Sequence, residues 1–387
     1  MSARHAWAYL NRAVEGPSRP LQALLASGRD AEEIAHGVRT RASWLGELGP
    51  ATEARHAWNR AGEDLDLAHA VGVRLVTPDD EEWPAEQLDL AFGFAASGLS
   101  PHLRSHQADA VPPHTLWVRG APLQPLLAQA VAVVGTRTAT AYGREATRLI
   151  VAGLAAHQWT IVSGGAKGID AIAHETALAS GGRTIAVAAC GLDRDYPAAH
   201  TDLFRRIVRS GSAMVSEYPP GTTPQRHRFL TRNRLVAALT QGTVLTQAPW
   251  RSGALNTMSW AEGLGKVAMA VPGPVTTNDH VGCHTRIREG RAELVATADD
   301  VRSLLETVGS VDPDGQYEMA FGPSVVQALS RNELRVYDAL TITTARDATA
   351  IAVDAGLTIA LTVHLLVELE RKSLIRREGT AWRRAED

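Results

Sequence analysis

The stretch Thr160-Ile161-Val162-Ser163-Gly164-Gly165-Ala166-Lys167-Gly168-Ile169-Asp170 decides the fold. A short β-branched run enters a glycine turn, and an apolar helical pattern leaves it. The same order occurs earlier, where Val131-Ala132-Val133-Val134 runs into Gly135-Thr136-Arg137. A helix follows there, with Tyr142, Ala146, Leu149, Ile150, Gly153 and Leu154 on one face. Thr184 to Ala188, Ala213 to Ser216, Thr243 to Thr246 and Val267 to Val271 are further short apolar runs between helical patterns. Continuous apolar strands alternating with helices predict βαβ units and a Rossmann-like, doubly wound parallel sheet. Ligands of such sheets bind at the carboxyl ends of the strands, where both glycine turns lie.

Backbone N–H groups of a glycine turn at a helix N-terminus suit an anion, because glycine permits close approach and the helix dipole favours negative charge. Arg137 and Lys167 add side-chain charge to the same rim. Neither turn is a dinucleotide fingerprint, since Gly135 lacks the following glycines, and Lys167 is followed by Gly168 where a Walker sequence needs Ser or Thr. Further along, Tyr218 to Ala261 holds no Asp or Glu yet carries Arg226, Arg228, Arg232, Arg234 and Arg251. Within it, Arg226-His227-Arg228-Phe229-Leu230-Thr231-Arg232-Asn233-Arg234 interleaves guanidinium groups with one ring and one amide. Guanidinium forks match phosphate and an aromatic face stacks a base, so the segment points to single-stranded nucleic acid.

The rest of the chain bounds this reading. Its 387 residues carry 39 basic and 42 acidic side chains, a net charge of −3, so any contact with nucleic acid is local. With 45% apolar residues it can bury a core. Two cysteines make no disulfide framework, and the absence of a long apolar run or export signal predicts a cytoplasmic protein without membrane insertion. Residues 1–75 read as a small helical domain, 76–305 as the Rossmann-like domain, 306–325 as a linker rich in turn residues, and 326–387 as a compact C-terminal unit. In that last unit Leu334 to Leu340, Ala348 to Val353, and Ile359-Val363-Leu366-Leu369 are helical patterns. A strand pair around Gly379 follows, so the unit resembles a winged helix. Glu368 and Glu370 beside Arg371 and Lys372 make its last helix indifferent to phosphate, which favours a protein-interaction role over duplex DNA.

Several blocks resemble the DNA-processing protein A (DprA/Smf) family over residues 115 to 300. They are Val133 to Arg137, Ser163 to Asp170 with Ala173-His174, Ala186-Val187 with Gly191-Leu192 and Tyr196-Pro197, and Ser216 to Gly221. Phe229 to Thr240, Ser252-Gly253, Ala270 to Gly273 and Ile287 to Gly290 continue the family order. The resemblance implies a cytoplasmic homodimer that binds single-stranded DNA and loads RecA recombinase in natural transformation or recombination, with no cofactor, metal or catalytic residue. It also implies a small SAM or helix-hairpin-helix-like N-terminal domain. Carried over by motif, Arg137, Lys167, Arg232 and Arg234 hold phosphates, and Phe229 stacks a base. Asn233 hydrogen-bonds sugar or base, Gly135, Gly164 and Gly165 offer backbone groups, and Arg226 is an outlying candidate.

Three positions depart from the family pattern. Leu230 stands where Pro usually follows the Phe, Gln247 where a Glu is typical, and Gly282-Cys283-His284 replaces Gly-x-Asn. Elsewhere, Asp170 and His174 read as a capping Asp and a packed His, the Cys283-His284 pair does not form a thiol nucleophile, and Trp117, Trp159 and Trp260 belong to the core. The competing class is a nucleotide hydrolase of the lysine-decarboxylase-like phosphoribohydrolase type. It needs a Pro-Gly-Gly-x-Gly-Thr loop followed by Glu, and here Pro272-Gly273 is followed by Pro274. A scaffold whose basic segment binds an acidic protein tail is the third class.

Overall fold

A sheet whose strand order reverses at its centre places everything that matters for function. In the computed structural model, which describes residues 1–100, 107–306, 311, 324–326 and 328–385, the chain divides into two compact units, Met1–Val311 and Asp312–Asp387. The linker expectation over 306–325 falls largely outside the described residues.

The first unit opens with five helices: α1 (Ala3–Val14), α2 (Arg19–Ala26), α3 (Ala31–Thr40), α4 (Leu48–Thr52) and α5 (Ala61–Ala70). Strand β1 (Val73–Val76), helix α6 (Ala85–Ala96), strand β2 (Leu116–Gly120) and helix α7 (Leu123–Leu127) lead into the sheet. There β3 (Ala130–Gly135), α8 (Ala141–Ala156), β4 (Thr160–Ser163), α9 (Ile169–Ala179), β5 (Thr184–Ala188), α10 (Thr201–Arg209) and β6 (Ala213–Ser216) alternate. So do α11 (Arg226–Ala238), β7 (Gly242–Gln247), α12 (Ala254–Gly263), β8 (Val267–Ala270), α13 (Val281–Arg288), β9 (Glu293–Leu294) and α14 (Ala298–Leu305). The spatial order is β1-β2-β6-β5-β4-β3-β7-β8-β9, parallel from β6 to β9, with β2 antiparallel to β6 and β1 antiparallel to β2. The parallel part of the sheet begins at β3, winds outward through β4, β5 and β6, and returns along α11 to β7 on the other side of β3. The switch point is therefore the β3–β7 pair.

Side chains alternate across the sheet as the pleat requires. In β3, Ala130, Ala132 and Val134 join a core with Leu235 of α11, Met258 of α12 and Leu88 of α6. Val131 and Val133 face the opposite core, with Ile150 of α8, Ile172 of α9 and Val301 of α14. The N-terminal helices pack on the β2–β6 end through a third core that includes Trp7, Leu10, Trp117 and Ile207. Asn11 of α1 accepts from the Trp117 indole (2.8 Å) and donates to the Glu217 carbonyl (2.9 Å).

In the α8 pattern the expected face is displaced. Tyr142 and Leu149 are 43% and 65% exposed, and Gly143, Thr147, Ile150, Val151 and Leu154 are buried. Thr147 can face inward because its hydroxyl donates to the Gly143 carbonyl (2.7 Å).

In the second unit, helices α15 (Arg331–Asp338), α16 (Ala348–Ala355) and α17 (Ile359–Arg371) accompany strands β10 (Arg346–Asp347), β11 (Ile375–Glu378) and β12 (Ala381–Arg384). The expected hairpin is β11–β12, and β10 adds a third antiparallel strand beside β12. The α17 stripe is also displaced: Ile359 and Val363 are exposed, whereas Thr362, Leu365, Leu366 and Leu369 are buried. Thr362 satisfies its hydroxyl on the Thr358 carbonyl (3.0 Å), so a polar residue occupies the inner face at little cost.

Two buried histidines couple the first unit's stability to pH. His174 meets the Thr184 hydroxyl at 2.7 Å, and burial lowers its pKa to about 3, as it does for His114. Unfolded imidazoles near 6.5 take up protons that these folded rings refuse, so their contribution is lost as pH falls from 6.5 towards 3. At pH 5 each ring costs about 2 kcal/mol. A His174→Gln variant should therefore lose about 2 kcal/mol less stability than wild type between pH 7 and pH 5 by urea unfolding. Equal losses would contradict this.

Candidate nucleic-acid interface

At the carboxyl ends of β3 and β7 lies a cavity of about 430 Å³. Its floor is formed by the two glycine turns, one wall by α11, and the other by the loop from β7 into α12. The turns are built against each other. Ile169 donates its N–H to the Thr136 carbonyl (3.1 Å), and a Cβ on Gly168 would lie 2.2 Å from that same oxygen, at a φ of +84°. Only glycine fits both conditions.

The second turn is held from inside. Asp170, at the start of α9, accepts from the Ala166 N–H (3.3 Å). Burial pushes its carboxyl up, while Arg232 and the turn's N–H groups pull it back. Arg232, reaching from α11, donates to the Gly164 carbonyl (2.7 Å) and to the Val187 carbonyl, and its guanidinium lies where a Cβ on Gly164 would be, 2.6 Å away. One side chain thus joins the β4 turn, the end of β5 and α11.

Six of the sequence-predicted residues line the cavity: Gly135, Arg137, Gly164, Phe229, Arg232 and Asn233. Arg137 is exposed, and its guanidinium carbon lies 5.8 Å from the Phe229 ring centre. Asn233 donates to Asn256 (3.1 Å), which ties α11 to α12. Lys167 and Arg226 are exposed outside the cavity, on the β4 turn and the first turn of α11. Gly165 is buried below the turn, near the Phe204 ring.

Arg234 is not brought to the cavity. It is 0% exposed, pairs with Glu217 at 2.5 Å and donates to the Asp109 carbonyl at 3.1 Å. An enclosed, neutralised guanidinium cannot reach a phosphate, so its expected role as a phosphate ligand is replaced by a structural one. Arg232 is almost as enclosed and is occupied by backbone carbonyls. Arg228 pairs with Glu15 of the helical segment at 2.5 Å. The acid-free segment is therefore not uniformly positive, because its inner arginines draw counterions from outside it.

The structure brings to the site residues that the sequence named but did not propose as DNA contacts. Tyr196 is half-exposed, with its ring 5.6 Å from that of Phe229. Arg251, Ser252 and Gly253 line the wall leading into α12, whose N-terminus faces the cavity. Gln247 is buried; its amide oxygen accepts from the Thr140 N–H and its amide nitrogen donates to the Thr140 hydroxyl, both at 3.0 Å. That pair anchors the N-cap of α8. His284 Nε2 lies 3.0 Å from the Gly273 carbonyl, and burial pushes the Cys283 thiol up to about 12.

A family model described as DNA recombination-mediator protein A matches residues 74–306, from β1 to the end of α14. The chain belongs to the DNA recombination-mediator protein A family. The whole cavity lies inside the family match. A putative DNA processing protein DprA from Mycobacterium tuberculosis is 44% identical over 381 residues, covering 98% of this chain and 93% of its own. The X-ray structure of DNA processing protein A from Streptococcus pneumoniae covers 79% of this chain and 100% of its own, at 28% identity and a TM-score of 0.63. A structure of DNA processing protein A from Helicobacter pylori, described as giving insight into a unique single-stranded DNA binding mode, covers 50% of this chain and 87% of its own, at 32% identity and a TM-score of 0.46.

Burial sorts the charged residues of this chain by what their loss does. Glu217→Ala leaves the enclosed Arg234 charge unpaired and should cost about 3–5 kcal/mol of stability by urea unfolding. Arg226→Ala, on the surface, should stay within about 0.5 kcal/mol of wild type. Similar effects of the two would refute the burial assignment.

Proposed function

We propose that this protein binds single-stranded DNA across the carboxyl edge of its sheet and loads RecA recombinase onto it, in natural transformation or recombination. One observation carries the DNA reading. A cavity at the switch point combines glycine turns and exposed Arg137 with the Tyr196–Phe229 ring pair. Only an unpaired base can lay its face on such rings, which favours a single strand over a duplex. The RecA partner is proposed from the family resemblance and the family's description as a recombination mediator.

The hydrolase alternative finds little here. Among the described residues Asp170 is the one carboxylate lining the cavity, and it is engaged with the glycine turn and the Arg232 charge. A binding role without catalysis is therefore the proposal. A homodimer is proposed from the resemblance, with exposed Leu294 on the short edge strand β9 as a self-association surface. A cytoplasmic setting is proposed with it: both cysteines are free, and among the described residues no single helix is long and apolar enough to cross a membrane. The C-terminal unit, as a winged helix, is assigned to protein contacts.

Arg137, Lys167, Arg226 and Arg251 are the exposed cations in and around the site. If each neutralises one phosphate, log affinity falls against log salt with a slope of about −3, at roughly −0.7 per contact. Arg137→Ala should make the slope shallower by about 0.7 and weaken all sequences alike. Phe229→Ala should cost about 1–3 kcal/mol of binding with the slope unchanged. Fluorescence anisotropy on a labelled thymidine oligomer across a salt series checks both. No binding by wild type, or an unchanged slope for Arg137→Ala, would sink the reading.

A further inference from the structure

Trp250 stands apart from the other tryptophans near the sheet. Trp117, Trp159 and Trp260 are at most 2% exposed, whereas Trp250 is 60% exposed. An indole in water forgoes one of the largest apolar burials a side chain offers. Its neighbours Pro249 and Arg251 both line the cavity, so Trp250 stands on the cavity rim, in the turn between β7 and α12. The Tyr196–Phe229 pair marks the other side, since Tyr196 belongs to the connection leaving β5.

Sheet order sets the distance between the two rims. From β5 to β7 the sheet passes β4 and β3, three interstrand steps. At about 4.8 Å each, this is roughly 14 Å. The glycine turns leaving β4 and β3 lie between, and Arg251 with the N-terminus of α12 lies beside Trp250. At a stacked rise of about 3.4 Å per nucleotide, the gap accommodates about four nucleotides, and fewer if the strand is extended.

We propose that Trp250 is a second base-stacking platform, so that a single strand crosses the sheet edge from the Tyr196–Phe229 rings to Trp250 with its phosphates over the two glycine turns. This rests on the single-strand reading and adds the direction and far end of the path. Arg251 and the α12 N-terminus hold the phosphate next to the base on Trp250. Stacking of this kind accepts any base, so Trp250 adds affinity without sequence preference.

The test uses the full chain as wild type, Trp250→Ala and Trp250→Phe. Each is titrated with a thymidine oligomer of about twelve nucleotides, within the usual site size, and with a base-free strand of equal length. Anisotropy reports affinity and tryptophan fluorescence reports stacking. Trp250→Ala should bind the thymidine oligomer roughly 5- to 150-fold more weakly. It should bind the base-free strand as wild type does, with the salt slope unchanged, and Trp250→Phe should recover most of the loss. Both variants should lose part of the fluorescence quench that DNA causes in wild type. If Trp250→Ala binds the thymidine oligomer like wild type with the same quench, Trp250 is not a platform, and the single-strand reading stands. Should Trp250→Ala weaken both strands equally, its role is structural and the proposal fails. Absence of any binding by wild type removes the underlying reading as well.

Discussion

The guanidinium of Arg232 is the interaction on which the site's geometry depends. It reaches from α11 to carbonyls at the ends of β4 and β5, beside the Asp170 carboxylate that ties down the same glycine turn. A buried charge is costly unless several partners compensate it. Here desolvation lowers the Arg232 pKa and the Asp170 charge raises it. A single guanidinium nitrogen, Nη1, donates to both the Gly164 and the Val187 carbonyl. The turn is therefore fixed before any ligand arrives, which limits the ordering cost of binding.

Around that fixed floor the cations divide by exposure. Those that are enclosed, Arg228 with Glu15 and Arg234 with Glu217, hold α11 to the helical segment and to the end of β6. Those in water, Arg137, Lys167, Arg226 and Arg251, are available to phosphate. The mild overall charge of −3 is compatible with DNA binding because few positions carry it. All of these exposed cations lie within residues 74–306, the part of the chain that matches the DNA recombination-mediator protein A family.

Strands were legible in the sequence because a parallel sheet buried on both faces demands continuous apolar runs, and Val131 to Val134 or Thr160 to Val162 allow little else. The glycine turns were legible for a related reason, since a turn such as that at Gly168 tolerates no side chain. Helix faces were less so. In α8 and α17 the inward positions include Thr147 and Thr362, whose hydroxyls bond within their own helices, so apolarity alone chose the wrong stripe. Least legible were partners distant in the chain. Glu15 lies 213 residues from Arg228, and nothing local in the acid-free segment announces it. The meeting of Tyr196 with Phe229 depends in the same way on how the β5 connection folds back over α11.

Whether Arg232 shapes the turn or holds a phosphate is tested most directly by Arg232→Lys. One guanidinium nitrogen, Nη1, donates to both carbonyls, and lysine keeps the charge without the planar guanidinium that places that nitrogen. If Arg232 shapes the turn, Arg232→Lys should bind single-stranded DNA about as poorly as Arg232→Ala, both with the wild-type salt slope. Near-wild-type binding by Arg232→Lys, together with a slope shallower by about 0.7 for Arg232→Ala, would show a phosphate contact and contradict it.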